Sequence, residues 1–241
     1  MYHTIVIGGG CLGAAAAISL QRKLNKLGKG DKVCLVEKAV LCAAESSRHS
    51  GIVRSANADP DASIMASMSS KMWKNLSSVW GLDMDIDEFG AIWIAKKNAD
   101  GENPAWSDLS DRMSKIQLVF EEIDTNSATQ KCGETLLTDE NESYFYEPAA
   151  FQLDPSILRS TLYDAIDENG VILMEKTEVD TILTKGKEII GITTNNGKLD
   201  AKNFVNATGA WSSQLFSKIG LKIPVTIEPV SVVNWMESPK Q

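Results

Sequence analysis

An apolar β-branched run, Ile5-Val6-Ile7, gives way to the glycine turn Gly8-Gly9-Gly10-Cys11-Leu12-Gly13. Ala14 to Ala17 and Ile18-Ser19-Leu20 follow, and their spacing predicts a helix. A second apolar run, Val33 to Val36, stops at Glu37. The order is strand, turn, helix, strand, acid, which is the layout of a dinucleotide-binding unit. Further on, Ile64, Met68, Met72 or Trp73, and Leu76 recur at helical spacing. They predict a helix over 62–80 with its apolar stripe in the core. Phe89 to Ala95 reads as a strand opening a second sheet, and 105–122 is helical in pattern. Residues 124–139 mix short helix and loop.

Tyr144-Phe145-Tyr146-Glu147-Pro148 is an aromatic cluster that either lines a substrate pocket or forms an edge strand on the core. Asp154-Pro155 starts a helix that Gly170 stops, with Asp154 as cap and Pro155 in the first turn. Short strands at 171–175, 178–185, 188–194 and 199–201, with turns at Lys185-Gly186-Lys187 and Asn196-Gly197-Lys198, predict a β-meander. A strand over 203–206 runs into Ala207-Thr208-Gly209-Ala210-Trp211-Ser212. A short helix over 213–220 and an alternating, strand-like stretch over 224–235 follow. There are no internal repeats and no low-complexity tract.

Composition narrows the class. The 241 residues are 43% hydrophobic and 23% charged, ordinary for a soluble globular protein of one large or two small domains. A net charge of −8 argues against a nucleic-acid partner. No apolar run reaches the roughly 18–20 residues that span a membrane. The first strand lies almost at the N-terminus, so no signal peptide is expected. Cys11, Cys34, Cys42 and Cys132 form no CxxC pair and are expected to be free thiols in a reducing, cytoplasmic setting. Two histidines, His3 and His49, give no metal-ligand spacing.

The chemistry concentrates at the glycine turn. Gly8 lets the chain turn off the strand, Gly10 lets a pyrophosphate approach the backbone, and Gly13 lets the helix pack close to the sheet. The helix N-terminus offers free N–H groups and partial positive charge to phosphates. Glu37 stands where a carboxylate accepts hydrogen bonds from an adenosine ribose, and it would repel a 2′-phosphate. The span from Gly8 to Glu37 exceeds the ~20 residues usual in such units; the excess is expected in 23–31, away from the phosphates. The loop 39–54 carries Ser46, Ser47, Arg48, His49 and Ser50, hydroxyl and cationic groups that suit phosphate or flavin contacts but equally suit a solvated, capping loop. The small residues Ala207 to Gly209 permit close approach of a nucleotide, or simply make a tight strand-to-helix turn.

Four stretches, IVIGGGCLG (5–13), SSRHSGIVRSAN (46–57), FQLDPSILRSTLYDAIDENGV (151–171) and FVNATGAWSSQLFSKIGLKIPVTIEPV (204–230), occur in an order that resembles the D-amino-acid oxidase and sarcosine oxidase group of flavoproteins, FAD-dependent oxidoreductases that include glycine oxidase and dimethylglycine dehydrogenase. The resemblance implies an α/β fold: a Rossmann-like, glutathione-reductase-like FAD-binding domain (1–85 and 150–218) with a β-meander insertion at 171–201, plus part of an α+β substrate domain (86–149 and 219–241). It implies FAD and oxidation of a small amino acid or N-methylated amino acid to an imine, with hydride passing to flavin N5. Gly8, Gly10, Cys11, Leu12, Gly13, Glu37 and Lys38 would then serve the ADP half. Ser46, Ser47 and Arg48 would serve the pyrophosphate or flavin, Val179 the adenine, and Ala207, Thr208 and Gly209 the nucleotide again. Arg54 matches an arginine that binds the substrate carboxylate; pairing with an acidic residue is the other reading. His49 lies where some relatives attach FAD covalently, and an ordinary loop histidine is the other reading there. Family members run well over a hundred residues longer, so the resemblance implies a chain truncated after Gln241. The partners implied are a small amine or amino-acid substrate and an electron acceptor or partner subunit. An FAD-dependent 2-hydroxy-acid dehydrogenase, a non-catalytic flavin-binding subunit and a plain NAD dehydrogenase are the competing readings.

Overall fold

The computed structural model describes residues 1–57, 59–75, 86–132 and 136–228. In chain order these residues form β1 (Tyr2–Ile7), α1 (Cys11–Lys26), β2 (Val33–Val36), β3 (Ile52–Val53), α2 (Pro60–Lys74), β4 (Ile86–Asp87), β5 (Ala91–Lys96), α3 (Pro104–Lys115), β6 (Glu121–Ile123), α4 (Thr125–Cys132), β7 (Glu142–Glu147), β8 (Phe151–Leu153), α5 (Pro155–Asn169), β9 (Ile172–Met174), β10 (Val179–Lys185), β11 (Glu188–Thr194), β12 (Gly197–Leu199), β13 (Ala201–Asn206) and α6 (Ser212–Ser217). They divide into two compact units. Of the described residues, one holds Met1–His49 with those from Pro155 on, and the other holds Ser50–Asp154.

The first unit is built on a parallel sheet of order β13-β1-β2-β9. β1 and β2 read as unbroken apolar runs because both are covered: Ile5, Val6, Val33, Cys34 and Leu35 are fully buried. The loop between α1 and β2 takes up the excess length foreseen at 23–31. It is pinned from inside by the fully buried Gln21, whose Oε1 accepts from Val33 N at 2.8 Å and whose Nε2 donates to the Asp31 carbonyl at 3.2 Å. β10, β11 and β12 make a separate antiparallel meander. Ile182 and Ile192 of that meander join Ile5, Ile7, Cys34 and Val36 in one core.

The meander is smaller than expected. β9 belongs to the parallel sheet, paired in register with β2 from Cys34↔Ile172 to Val36↔Met174. A strand that follows a crossover helix can join the sheet beside an earlier strand, and α5 supplies that crossover.

The second unit centres on the antiparallel sheet β5-β7-β6. β7, which carries the aromatic cluster, is its central strand rather than an edge, with Tyr144 and Phe145 buried. Phe145 stacks on Phe120 at 5.4 Å, and Trp93 and Trp106 close the cluster. A small sheet, β3-β8-β4, completes the unit.

Three further expectations change. The helix expected over 105–122 ends at Lys115, and Glu121–Ile123 pairs with β7 as a strand. The α2 helix starts at Pro60, with Asp59 accepting from Ala62 N at 2.9 Å as its N-cap; the expected end beyond 75 lies outside the described residues. Its stripe also faces the other way. Ile64, Met65, Met68 and Met72 are exposed, and Ser63, Ser67 and Ser70 are buried. Ser63 explains part of this, because its Oγ accepts from Asn57 N and donates to the carbonyls of Asn57 and Asp59. The expected strand over 224–235 is not formed over 224–228, and its remainder lies outside the described residues.

The N-terminal stretch of the first compact unit ends at His49. β3 pairs with β8, and the backbone N–H groups of Ser55 and Ala56 both donate to Glu147 of β7.

Candidate functional site

A cleft of about 340 Å³ opens in the first unit where β1, β2 and β13 end together. This is the carboxyl edge of a parallel sheet, where open α/β folds bind their ligands. The turn from β1 to α1 forms its floor. Gly8 has φ +107, and a Cβ there would come within 2.4 Å of the Ala207 carbonyl oxygen. A Cβ on Gly13 would meet the Gly8 carbonyl oxygen at 1.9 Å. These two glycines let the turn, α1 and the end of β13 lie in contact. Gly10 differs: a Cβ there would meet only Ser46 Oγ, at 3.1 Å, and its face lines the cleft. The space beside Gly10 is open to the cleft.

Glu37 ends β2 and lines the cleft. Its Oε2 accepts from Gly9 N at 2.7 Å and its Oε1 from Ala39 N at 2.8 Å, so the carboxylate is fixed by the glycine turn itself. Each oxygen keeps a further lone pair for a hydroxyl donor. The loop after β2 is held by Leu41 N to Glu175 Oε1 at 2.7 Å and by Cys42 N to the Gly9 carbonyl at 2.8 Å. It then makes a 3-10 turn, Glu45–Ser47, whose Ser46 Oγ accepts from Cys11 N at 3.0 Å, at the N-terminus of α1.

On the far wall, Ala207 N donates to the Ile7 carbonyl at 2.8 Å. Asn206 Oδ1 accepts from Thr208 Oγ1 at 2.7 Å, which ties the end of β13 beside the glycine turn. Val179, at the start of β10, lines the same space.

The cleft thus gathers Gly8, Gly10, Cys11, Leu12, Glu37, Lys38, Ser46, Val179, Ala207, Thr208 and Gly209. Gly13 lies behind them, packed on the turn. Ser47, Arg48 and His49 do not line it: Ser47 Oγ donates to the Ala44 carbonyl, Arg48 is exposed, and His49 Nε2 is 3.1 Å from the Ser46 carbonyl. Trp211 and Lys218 line the cleft without having been singled out. The Trp211 ring carries Lys38 Nζ 3.9 Å above its centre. Trp211 stood within the stretch 205–212; nothing in the sequence marked Lys218.

Arg54 belongs to the second unit. Its Nη1 donates to the Ala56 carbonyl at 2.6 Å and its guanidinium lies 4.5 Å from the Trp93 ring centre, so an aromatic face and a carbonyl hold it where an acidic partner was the other expectation. Glu147, fully buried, organises this corner. It accepts from Ser55 N, Ala56 N and Trp93 Nε1.

One thiol pair stands out. Cys11 Sγ and Cys42 Sγ are 4.0 Å apart. The hydrogen bond from Cys42 brings the Cys11 thiol down to about 6, with help from Ser46 and against the opposing effect of burial; the same bond and burial push Cys42 far up. The two thiols share this contact and titrate as a pair, with the thiolate favoured on Cys11.

The family model for FAD dependent oxidoreductases (DAO) matches residues 3–241. The chain belongs to the DAO family. This DAO chain is similar to the β subunit of sarcosine oxidase of Rhizobium meliloti (22% identical, covering 93% of this chain and 53% of that one) and to the mitochondrial pyruvate dehydrogenase phosphatase regulatory subunit of Mus musculus (23% identical, covering 88% and 23%). Its fold matches L-proline dehydrogenase from P.horikoshii with a TM-score of 0.80 at 24% identity, over 95% of this chain and 58% of that one. The DAO chain therefore spans about a quarter to a half of the length of these curated relatives. FAD is the cofactor of the family, and the site fits its ADP half: a glycine face that a side chain would close, a helix N-terminus for pyrophosphate, and an anchored carboxylate for ribose. Among the described residues no helix is long and apolar enough to cross a membrane.

Proposed function

We propose that this chain carries the FAD site of an oxidoreductase that converts a small amino acid, or an N-methylated one, to the imine. FAD, when bound, supplies the hydride acceptor at N5. The protein binds and orients. Gly8, Gly10, Cys11 and Leu12 present backbone to the pyrophosphate, and Glu37 accepts from the ribose hydroxyls. Val179 meets the adenine, and Ala207 to Gly209 close the opposite wall. Ser46, Ser47 and Arg48 serve the pyrophosphate or flavin, and His49 is either the attachment point of FAD or an ordinary loop histidine. The FAD domain is assigned as 1–85 with 150–218 and the substrate domain as 86–149 with 219–241. Arg54 takes the substrate carboxylate, its guanidinium levelled by Trp93 and the Ala56 carbonyl. A cytoplasmic setting is part of the same reading.

The observation that carries the reading is the space beside Gly10, bordered by the Glu37 carboxylate and lined by Gly8 and Ala207. The names of two relatives, a β subunit and a regulatory subunit, favour a second reading, in which the chain serves as a flavin-binding subunit beside a partner.

An absorption spectrum of the purified protein with added FAD, followed by anaerobic addition of an N-methyl amino acid, tests both. A flavin spectrum that bleaches supports the oxidoreductase. A flavin spectrum that no amino acid bleaches supports the subunit reading, and bleaching by a 2-hydroxy acid alone changes the substrate class. Protein that takes up no FAD defeats the proposal. Colour that stays with acid-precipitated protein and disappears in His49→Ala would assign covalent attachment to His49.

A further inference from the structure

Four thiols are present, and only two of them face each other. Cys34 is buried in β2, where burial pushes it up to about 12, and burial also raises Cys132. Cys132 is the more exposed thiol, but Cys11 has surroundings that favour the thiolate. It is half-buried, it lines the cleft, and it stands at the first position of α1, where the helix field favours an anion. Cys42 is buried directly behind it.

We propose that Cys11 and Cys42 form a dithiol that a hydroperoxide entering the cleft converts, reversibly, to a disulfide. The Cys11 sulfur attacks the terminal peroxide oxygen. The O–O bond breaks, Cys11 becomes a sulfenic acid, and the alkoxide or hydroxide released takes up a proton. The Cys42 sulfur then attacks the Cys11 sulfur. The S–O bond breaks, hydroxide leaves with the Cys42 proton as water, and the S–S bond forms. Two thiols lose two electrons and two protons, and the peroxide is reduced to water and an alcohol, or to two waters.

The geometry asks for little movement. The sulfurs must close from 4.0 Å to the roughly 2.05 Å of a disulfide. The backbone already holds the two segments together, because Cys42 N donates to the Gly9 carbonyl at 2.8 Å. Cys42 has φ +58, an uncommon conformation for a residue other than glycine, and the Leu41 N bond to Glu175 pins the loop on the other side. Both segments that carry the pair are thus held next to each other by these hydrogen bonds. The product would staple the glycine turn to the loop after β2, across one wall of the cleft.

The test uses fully reduced protein and one equivalent of hydrogen peroxide, followed by alkylation, digestion and mass spectrometry without reductant. The expected result is a linked Cys11–Cys42 peptide, a fall in free thiols from four to two, and return to four with dithiothreitol. Cys42→Ala should stop the sequence one step earlier, leaving a sulfenic acid on Cys11 that dimedone captures and no Cys11-linked disulfide peptide. A wild-type protein that keeps four thiols, or whose first oxidised site is Cys132, overturns the proposal. The wild-type map alone decides if Cys42→Ala fails to fold.

Discussion

Single atoms separate the roles of the glycines. Gly13→Ala places a methyl 1.9 Å from the Gly8 carbonyl oxygen, so it should lower stability by about 3 kcal/mol or more, read as a shift in the urea midpoint. Gly10→Ala meets only Ser46 Oγ, so the protein should stay folded, with stability changed by about 1 kcal/mol or less. FAD affinity should nonetheless fall at least tenfold, the equivalent of ~1.4 kcal/mol, measured by flavin fluorescence quenching. Equal loss of fold in both variants would remove Gly10 from the binding surface.

Cys11, held down at about 6 by Cys42, should react with iodoacetamide at a rate that is half-maximal near that pH, where an ordinary thiol needs a pH of about 8.5. The thiolate is the nucleophile, so the rate rises through this value and is flat above it. Cys42→Ala removes the donor and should move the midpoint upward. Glu147 is buried and accepts three N–H bonds. Glu147→Gln places an NH₂ among those donors and should cost about 2–3 kcal/mol in urea unfolding, with Trp93 fluorescence reporting the local change.

Elements were legible where several local signals agreed. β1, the glycine turn, α1, β2 and Glu37 each had matching pattern, turn chemistry and length, and the structure joins them as read. Ile172–Met174 looked like its neighbours in the meander because a three-residue apolar run carries no information about its partner. Only the preceding crossover helix places it beside β2. α2 misled for a different reason. Periodicity finds an apolar face, but burial went to Ser63, Ser67 and Ser70, and Ser63 lines a small cavity with Leu109 and Met113 of α3. Met65→Gln with Met68→Gln should therefore change the stability of this chain by less than about 0.5 kcal/mol each. Ser67→Met, on the buried side, should cost about 1–3 kcal/mol, both read in thermal melts. In the cleft, Gly8, Gly10, Glu37 and Ala207 to Gly209 were legible because each has a backbone or charge requirement. Lys218 was not, since a lysine on a short helix has no local mark of what it faces.

At the scale of the whole molecule, the first unit is interrupted and the second is inserted within it. β1 lies between β2, made soon after it, and β13, made some two hundred residues later. A ribosome delivers the chain from the N-terminus, so the Ser50–Asp154 unit has all its described strands before the first sheet can be finished. Until Ala201–Asn206 emerges, one edge of β1 stays unpaired and Gly8 has no Ala207 carbonyl against it. In nascent chains arrested before and after Asn206, amide exchange at Ile7, whose carbonyl accepts from Ala207 N, should slow only in the longer one. The nucleotide cleft is thus a late product of synthesis, and a translation pause near Leu199 would leave an apolar strand edge waiting for a chaperone rather than for a cofactor.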